Sequence, residues 1–249
     1  MAIIHNEYDF NGQIKEIDEI FALTGEKVPR FHYLPSQEEI GDLKLFVSVC
    51  AVVYLHIRPK QDASVASFGE SVTAAKQPVV TFRQRVSIQQ TFINVMREHA
   101  KCFDFMFFGD DMVCVLDTTF QPDVNELFEQ LAKLNSMLSI LNRKSQLAGL
   151  TAIEWGIGAH YGEVFVSVQR HHTNDIRYNW SGLAFQITYD LSLTALNDGV
   201  DTIYTTDVFY QNLKDKYKDL MHKKANGFYS ASIINRPIKD WQTDNLDNQ

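Results

Sequence analysis

A chain of 249 residues is long enough to bury a core as one large domain, with or without an extension. Its hydrophobic content of 45% and charged content of 22% are ordinary for a globular protein, and its formal net charge of -8 argues against a broad basic face for nucleic acid. Cys50, Cys102 and Cys114 are scattered along the chain, which indicates reduced core residues rather than a disulfide framework or a zinc site. The N-terminus lacks the features of a signal peptide, and the longest apolar run, Leu45 to Ile57, is too short to span a membrane. We therefore expect a cytoplasmic protein.

The N-terminal segment predicts a helical extension. Residues 11–23 carry apolar side chains at helical spacing, with acidic side chains on the other side. The apolar residues are Ile14, Ile17, Ile20 and Phe21. An acidic polar side favours packing on the same domain or on a sister subunit over binding to a membrane. A connector rich in Gly and Pro follows, so the extension covers residues 1–44.

From residue 45 the chain alternates between predicted strands and helices. The run Leu45–Ile57 predicts a central strand that is buried on both faces. A helix over Thr81–Ala100 is predicted next, followed by a hairpin of Phe103–Phe108 and Met112–Leu116 and by a leucine-rich helix over 121–150. Residues 151–168 predict two strands joined by a Gly-rich corner. A helix that ends at Gly199 follows, and then a short strand, a helix and a last strand up to residue 235. This order predicts an α+β sandwich with a mixed, mostly antiparallel sheet in residues 45–236. The polar tail, residues 237–249, is expected to fray.

Four segments resemble the active-site motifs of class III nucleotide cyclases. "VVYLHIRPK" resembles the first active-site strand of that family, and "FMFFGDDMVCVL" resembles its Gly-Asp hairpin. "WGIGAHYGEVFVSV" is similar to its Gly-Ile hairpin, and "YNWSGLAFQITYDLSLTA" to the helix that follows. The segments occur in the family's order over roughly residues 45–235, and "VPRFHYLP" with "HIR" is closer to the bacterial uridylate and cytidylate cyclases of Pycsar anti-phage systems. The resemblance implies the ferredoxin-like fold of the class III catalytic domain.

The resemblance also implies a phosphorus–oxygen lyase that closes a nucleoside triphosphate into a cyclic mononucleotide. The 3′-hydroxyl attacks the α-phosphorus and pyrophosphate leaves, so the site must place cations and donors around phosphate oxygens. In the family, two carboxylates on adjacent strands hold Mg2+ or Mn2+, and a two-fold dimer completes the site. We therefore expect a nucleoside triphosphate and a second cyclase-like chain, in a homodimer or a heterodimer, as partners, and no nucleic acid.

At the metal positions the resemblance matches Asp110 to the second carboxylate and His56 to the first. Imidazole suits zinc, nickel or copper better than Mg2+, so His56 is a departure from the family pattern and puts Mg2+ or Mn2+ in doubt. We expect Asp110 and His56 to face a common cavity. Asp110 as a plain turn residue and His56 as a structural histidine are the alternatives, and Asp111 is expected to be a solvated turn residue.

The phosphate-binding positions match Ile57, Arg58 and Lys60, where backbone N–H groups after the first metal position cradle the triphosphate in the family. Pro59 lies among them and has no N–H to donate.

The remaining site positions match Met106, Arg177, Gln186 and Asp190. Met106 and Arg177 stand where purine cyclases carry a base-reading Lys and Asp, which argues against adenylate or guanylate specificity. Gln186 replaces a ribose-binding Asn, and Asp190 replaces an Arg whose role could be taken by Arg177, or by Arg58 or Lys60 from the loop. Asp190 would repel a developing phosphate charge.

Two functions of different class stay open. One is an active pyrimidine cyclase of anti-phage signalling, with Gln186 and Arg177 as its catalytic residues. The other is a catalytically inactive pseudo-cyclase that binds nucleotide or regulates a partner cyclase. The departures at His56, Pro59 and Asp190 favour the second, and the family background favours the first. A zinc site at His160, His171 and His172 is disfavoured, because these residues lack the His-x-x-x-His spacing.

Overall fold

The computed structural model of the protein describes residues 10–22, 28–60, 80–170, 176–200 and 202–247. The strands in these ranges are β1 (Arg30–Phe31), β2 (Leu45–Pro59), β3 (Cys102–Phe108), β4 (Asp111–Leu116), β5 (Ile153–Arg170), β6 (Ile176–Ser181), β7 (Ile203–Thr205), β8 (His222–Lys223) and β9 (Tyr229–Ala231). The helices are α1 (Phe10–Phe21), α2 (Gln37–Ile40), α3 (Phe82–Arg97), α4 (Gln121–Leu147), α5 (Leu183–Asp198), α6 (Asp207–Gln211), α7 (Asp215–Lys218) and α8 (Arg236–Gln242), and a π-helical turn covers Thr243–Asp247. None of the helices in the described ranges has the length and apolar character needed to span a bilayer.

All the described strands join one mixed sheet. Its main order is β3-β4-β2-β5-β7-β9-β8, with β1 paired to β2 and β6 paired to β5. The β1–β2 and β5–β7 pairs are parallel, and the other pairs are antiparallel. The predicted α+β fold with a mostly antiparallel sheet is therefore confirmed.

The long strands β2 and β5 form the centre of the sheet. They pair from Leu45 opposite Ser167 to Pro59 opposite Ile153. Because successive side chains of a strand point to opposite faces, β2 contributes to two cores. Residues such as Val53 and Leu55 pack with α3 and α4, whereas Val52 and Tyr54 lie on the other face, which α5 covers. The prediction that this strand is buried on both faces is confirmed.

Strand β5 is continuous, so the predicted Gly-rich corner within residues 151–168 was wrong. Its glycines instead let α5 pack directly on the strand. A Cβ at Gly156 would lie 2.0 Å from the Ser192 carbonyl oxygen, and one at Gly158 would lie 2.1 Å from that of Thr188. The C-terminal end of β5, Phe165–Arg170, pairs antiparallel with β6, which the sequence pattern did not predict as a strand.

The helices follow the predicted start and stop signals, except near the C-terminus. Thr81 and Gln84 form a capping box at the start of α3, and Gly199 ends α5 in the left-handed region at φ 70°. The tail that was expected to fray instead forms α8 and the π-helical turn, and Leu246 is buried. The frayed-tail prediction was wrong, because α8 packs against α4 and the π-helical turn packs against α8.

Candidate functional site

The end of β2 lies beside the start of β4, where His56 and Asp111 meet. Pairing of Leu55 with Met112 and of Tyr54 with Val113 sets this register. Nδ1 of His56 lies 2.9 Å from Oδ1 of Asp111. Asp111 is therefore a strand residue with a partner, and the expectation of a solvated turn residue was wrong.

Tyr54 fixes the Asp111 carboxylate from the same face of the sheet. Its hydroxyl donates a 2.9 Å hydrogen bond to Oδ2 of Asp111. Burial, followed by this hydrogen bond, raises the pKa of Tyr54, so the hydroxyl remains a donor at neutral pH. The ring of Tyr189 on α5 packs edge-on against both Tyr54 and His56, with ring centroids 5.3 Å and 6.1 Å away.

Nδ1 of His56 has an unusual environment. Although Asp111 Oδ1 is at ion-pair distance, it does not meet the geometry of a hydrogen bond to Nδ1. The nitrogen is buried and has no hydrogen-bond partner among the described residues.

Asp110 points to a different partner. Its carboxylate pairs with the Arg85 guanidinium of α3, and its Oδ1 accepts a hydrogen bond from Arg85 Nε. No hydrogen bond or ion pair between Asp110 and His56 is present in the described part of the chain. The structure therefore splits the Gly-Asp-Asp corner, with Asp110 at α3 and Asp111 at His56.

The residues present do not fit a two-Mg2+ site. Mg2+ prefers oxygen ligands in octahedral geometry, whereas the first position is an imidazole and the Asp110 carboxylate is paired with Arg85. Within the described ranges no group of three or more His, Cys, Asp or Glu side chains is arranged to hold a metal ion.

The three positions matched to phosphate binding are engaged by their own chain. Ile57 packs in the core with 4% of its surface exposed. Arg58 donates from Nε to Glu154, at 2.9 Å, and from a terminal nitrogen to the Asn197 side chain, at 3.0 Å. The Lys60 N–H donates to the Ala152 carbonyl oxygen at 2.8 Å. The backbone through Pro59 is thus strand rather than phosphate loop.

Met106 and Arg177 line one cleft of about 550 Å3 between β3, β6 and the start of α2. Asn179 lines it too, and so does Asp104, whose Oδ2 accepts a 2.7 Å hydrogen bond from the Trp180 indole. Neither Asn179 nor Asp104 was among the predicted site residues.

Met106, which lines the cleft, lies on the same face of the sheet as His56 and Asp111. Met106 pairs with Val113, and Phe108 pairs with Asp111. Two residues along a strand span about 7 Å, so Met106 lies about that far along β3 from Phe108, the residue that pairs with Asp111.

Gln186 and Asp190 are exposed on α5 and bind each other, since Gln186 Nε2 donates to Asp190 Oδ1 at 3.0 Å. Among the contacts of the described residues, neither reaches His56 or Asp111. Tyr189 is the α5 residue that contacts His56.

Comparison with solved structures defines the class of fold. The chain is similar to the adenylyl cyclase CyaB from P. aeruginosa, with a TM-score of 0.54 and 14% identity over 78% of this chain and 98% of that one. It is also similar to the guanylyl cyclase Cya2, with a TM-score of 0.52 and 14% identity over 77% of this chain and 95% of that one. The chain therefore has the class III nucleotide cyclase fold, and the resemblance of its motifs is confirmed at the level of fold.

In sequence the chain is similar to a uridylate cyclase from Treponema porcinum. The two are 22% identical over 242 residues, which cover 94% of this chain and 81% of the relative. No protein-family model matches the sequence.

Proposed function

We propose that the chain is a nucleotide cyclase-like protein of bacterial anti-phage signalling that converts a pyrimidine nucleoside triphosphate, with UTP preferred, into the cyclic mononucleotide. The similarity to the uridylate cyclase carries this proposal, because it extends over 94% of the chain.

The arrangement of the cleft supports a nucleotide-binding role. A base in the cleft would contact the apolar Met106 and the Asn179 amide, and Arg177 adds a cation at the same cleft. The phosphates would then extend along the sheet toward His56 and Asp111. In this arrangement the chain's own residues bind and orient the nucleotide, and Tyr54 holds the Asp111 carboxylate in place.

Incubation of the purified chain with ATP, GTP, CTP and UTP, each with Mn2+ or Mg2+, tests the proposal by mass spectrometry of the products. We expect cyclic UMP as the main product and loss of turnover in Asp111→Asn. The control is Lys101→Gln, at an exposed position outside the site, which should retain activity. Absence of a cyclic product with all four nucleotides would contradict the cyclase function.

A second candidate is a pseudo-cyclase that binds nucleotide or a partner cyclase. The specific observation in its favour is that Asp110 is neutralised by Arg85, while Asp190 stands where the resemblance calls for a cation. The double variant His56→Asp with Asp190→Arg separates the two candidates. If the wild-type chain binds UTP in equilibrium dialysis without turnover, and the double variant gains turnover, the chain is a pseudo-cyclase with an otherwise intact pocket.

We also propose that the working unit is a dimer with a second cyclase-like chain. Sedimentation of the chain alone should give a dimer if the two subunits are identical. A monomer that associates only with a second cyclase-like chain would indicate a heterodimer.

A further inference from the structure

We infer that the cavity between α3, α4 and α8 is a binding site for a small amphipathic anion, a molecule with a carboxylate or phosphate head group on an aliphatic or aromatic body. The cavity lies in the layer of helices that packs on one face of the sheet, whereas Tyr54 and Met106 lie on the other face. The inference therefore goes beyond the proposed function and does not depend on it.

The size and the walls of the cavity fit a small molecule. Its volume is about 660 Å3. Small-molecule sites commonly enclose about 300–1,000 Å3 between mostly apolar walls. Met137 and Leu141 of α4 supply apolar surface here, and so do Ile238 and Trp241 of α8. An aliphatic or aromatic body in the cavity would remove this surface from water, which favours its binding.

The charged side chains around the cavity are all cationic. Arg83 of α3 and Lys144 of α4 line it, and no described Asp or Glu does. Among the described residues neither cation has a salt bridge to a carboxylate, and the Lys144 ammonium lies 5.6 Å from the centroid of the Trp241 ring. The chain as a whole has a formal net charge of -8. A cavity bordered by cations alone in an acidic chain favours an anionic head group.

Ser145 adds a hydroxyl that is available to a ligand. It follows Lys144 on α4, lines the cavity and is only 6% exposed. Within the described part of the chain its hydroxyl has no hydrogen-bond partner, and its oxygen is not enclosed by protein atoms. The hydroxyl can therefore donate to an oxygen of a head group that Lys144 binds, and hydrogen bonds to a charged acceptor are the strong ones.

Hydrogen bonds hold the walls of the cavity in place. The Gln84 side chain of α3 donates to the Thr151 carbonyl oxygen at 2.7 Å, which joins the first turn of α3 to the segment after α4. Ser139 of α4 donates to Gln242 of α8 at 3.3 Å. A site whose walls are already ordered avoids part of the entropic cost of binding.

The test is calorimetric titration of the full chain with octanoate, octyl phosphate and 1-octanol, which share one tail and differ in the head group. We expect one anion per chain, bound about tenfold more tightly than 1-octanol, because the alcohol lacks the charge that Arg83 and Lys144 contact. The anion that binds more tightly identifies the head group.

Variants test the location of the site. Arg83→Gln combined with Lys144→Gln should remove the preference for the anions and leave binding of 1-octanol unchanged. Lys133→Gln is the matched control, since this lysine of α4 pairs with Glu98 at 2.7 Å outside the cavity, and it should retain the preference. Ala148→Phe, at an exposed position on the wall, should block both anions and the alcohol by filling the cavity. Circular dichroism checks that each variant is folded.

The fluorescence of Trp241 provides a second measurement of location. Octanoate should change the tryptophan emission of the wild type, and the change should be absent in Trp241→Phe. Equal affinity for octanoate and 1-octanol, an anion preference that survives the change of Arg83 and Lys144, or no binding of either anion would each overturn the inference. Because no nucleotide is present, these outcomes are independent of cyclase activity.

Discussion

Tyr54 shows how one hydroxyl stabilises the site. Its hydrogen bond to Asp111 lies at the end of β2, beneath the Tyr189 ring. We expect Tyr54→Phe to lower the free energy of unfolding by about 1.5 kcal/mol, because a part-buried carboxylate loses a donor. Urea denaturation measures the change. The matched control is Tyr33→Phe, whose hydroxyl donates to the exposed Glu39, and it should cost less than about 0.5 kcal/mol. Equal losses would contradict the role given to Tyr54.

His160 on β5 makes the stability of the protein depend on pH. Its Nδ1 lies 2.8 Å from the Thr206 hydroxyl, and burial lowers the pKa of His160 to about 4. The ordinary pKa is about 6.5, so the unfolded chain binds more protons than the folded chain between these values. Stability should therefore be complete above about pH 6.5 and fall as the pH drops toward 4, by on the order of 2 kcal/mol after allowance for partial exposure.

Urea denaturation of the wild type and of His160→Gln at pH 7 and at pH 4.5 checks this prediction. Acidic groups contribute to the pH dependence of both proteins, so the difference between them isolates His160. Identical pH dependence in the two proteins would contradict the prediction.

Which carboxylate of the Gly-Asp-Asp corner meets His56 could not be predicted from the sequence. A strand shifted by one residue exchanges the faces of all its side chains, and the register depends on pairing between distant segments. The motif resemblance selected Asp110, but pairing of Leu55 with Met112 brings Asp111 beside His56. The motif resemblance selected His56 and Met106 because they lie within matched segments, and Arg177 because it directly precedes one; their roles stay predictions.

At the scale of elements, β5 and α5 are joined by backbone contact at Gly156 and Gly158. We expect Gly158→Ala to lower the free energy of unfolding by about 3 kcal/mol or more, because the Thr188 carbonyl cannot move away without shifting α5. Thermal or urea unfolding measures it. Gly199→Ala is the control, since a Cβ there meets open space, and its positive φ alone should cost about 1 kcal/mol. Similar losses in both variants would contradict the close-contact explanation.

The same glycines explain why an element was predicted wrongly. Gly in an apolar run indicates either a turn or the close approach of another backbone, and the sequence does not distinguish them. Helices with clear caps, such as α3 after Thr81 and α5 before Gly199, were predicted well because their signals are local.

At the scale of the whole molecule, the order of elements could be predicted, but the docking of the C-terminal segment could not. Its apolar residues, which include Trp241 and Leu246, are too sparse for a periodic pattern. In the structure Lys144 of α4 lies over the Trp241 ring, 5.6 Å from its centroid, and Ser139 of α4 donates to Gln242 at 3.3 Å. The binding surface for this segment belongs to α4, about a hundred residues away along the chain.

Leu246→Ala tests this docking. Leu246 is 8% exposed, so its truncation should lower the free energy of unfolding by about 2 kcal/mol. Leu147→Ala, at a position that is 52% exposed, should cost less than about 0.5 kcal/mol. Equal small effects in urea denaturation would mean that the segment does not dock.

The pairing of β2 with β5 has a consequence for how the protein reaches its native state. The two central strands are separated by about a hundred residues, and loop closure of that length slows folding. During synthesis β2, a run of 15 mostly buried residues, leaves the ribosome well before its partner exists. Until β5 emerges, that run is the segment of the nascent chain most exposed to misassociation, so production of the protein should respond strongly to chaperone supply and growth temperature.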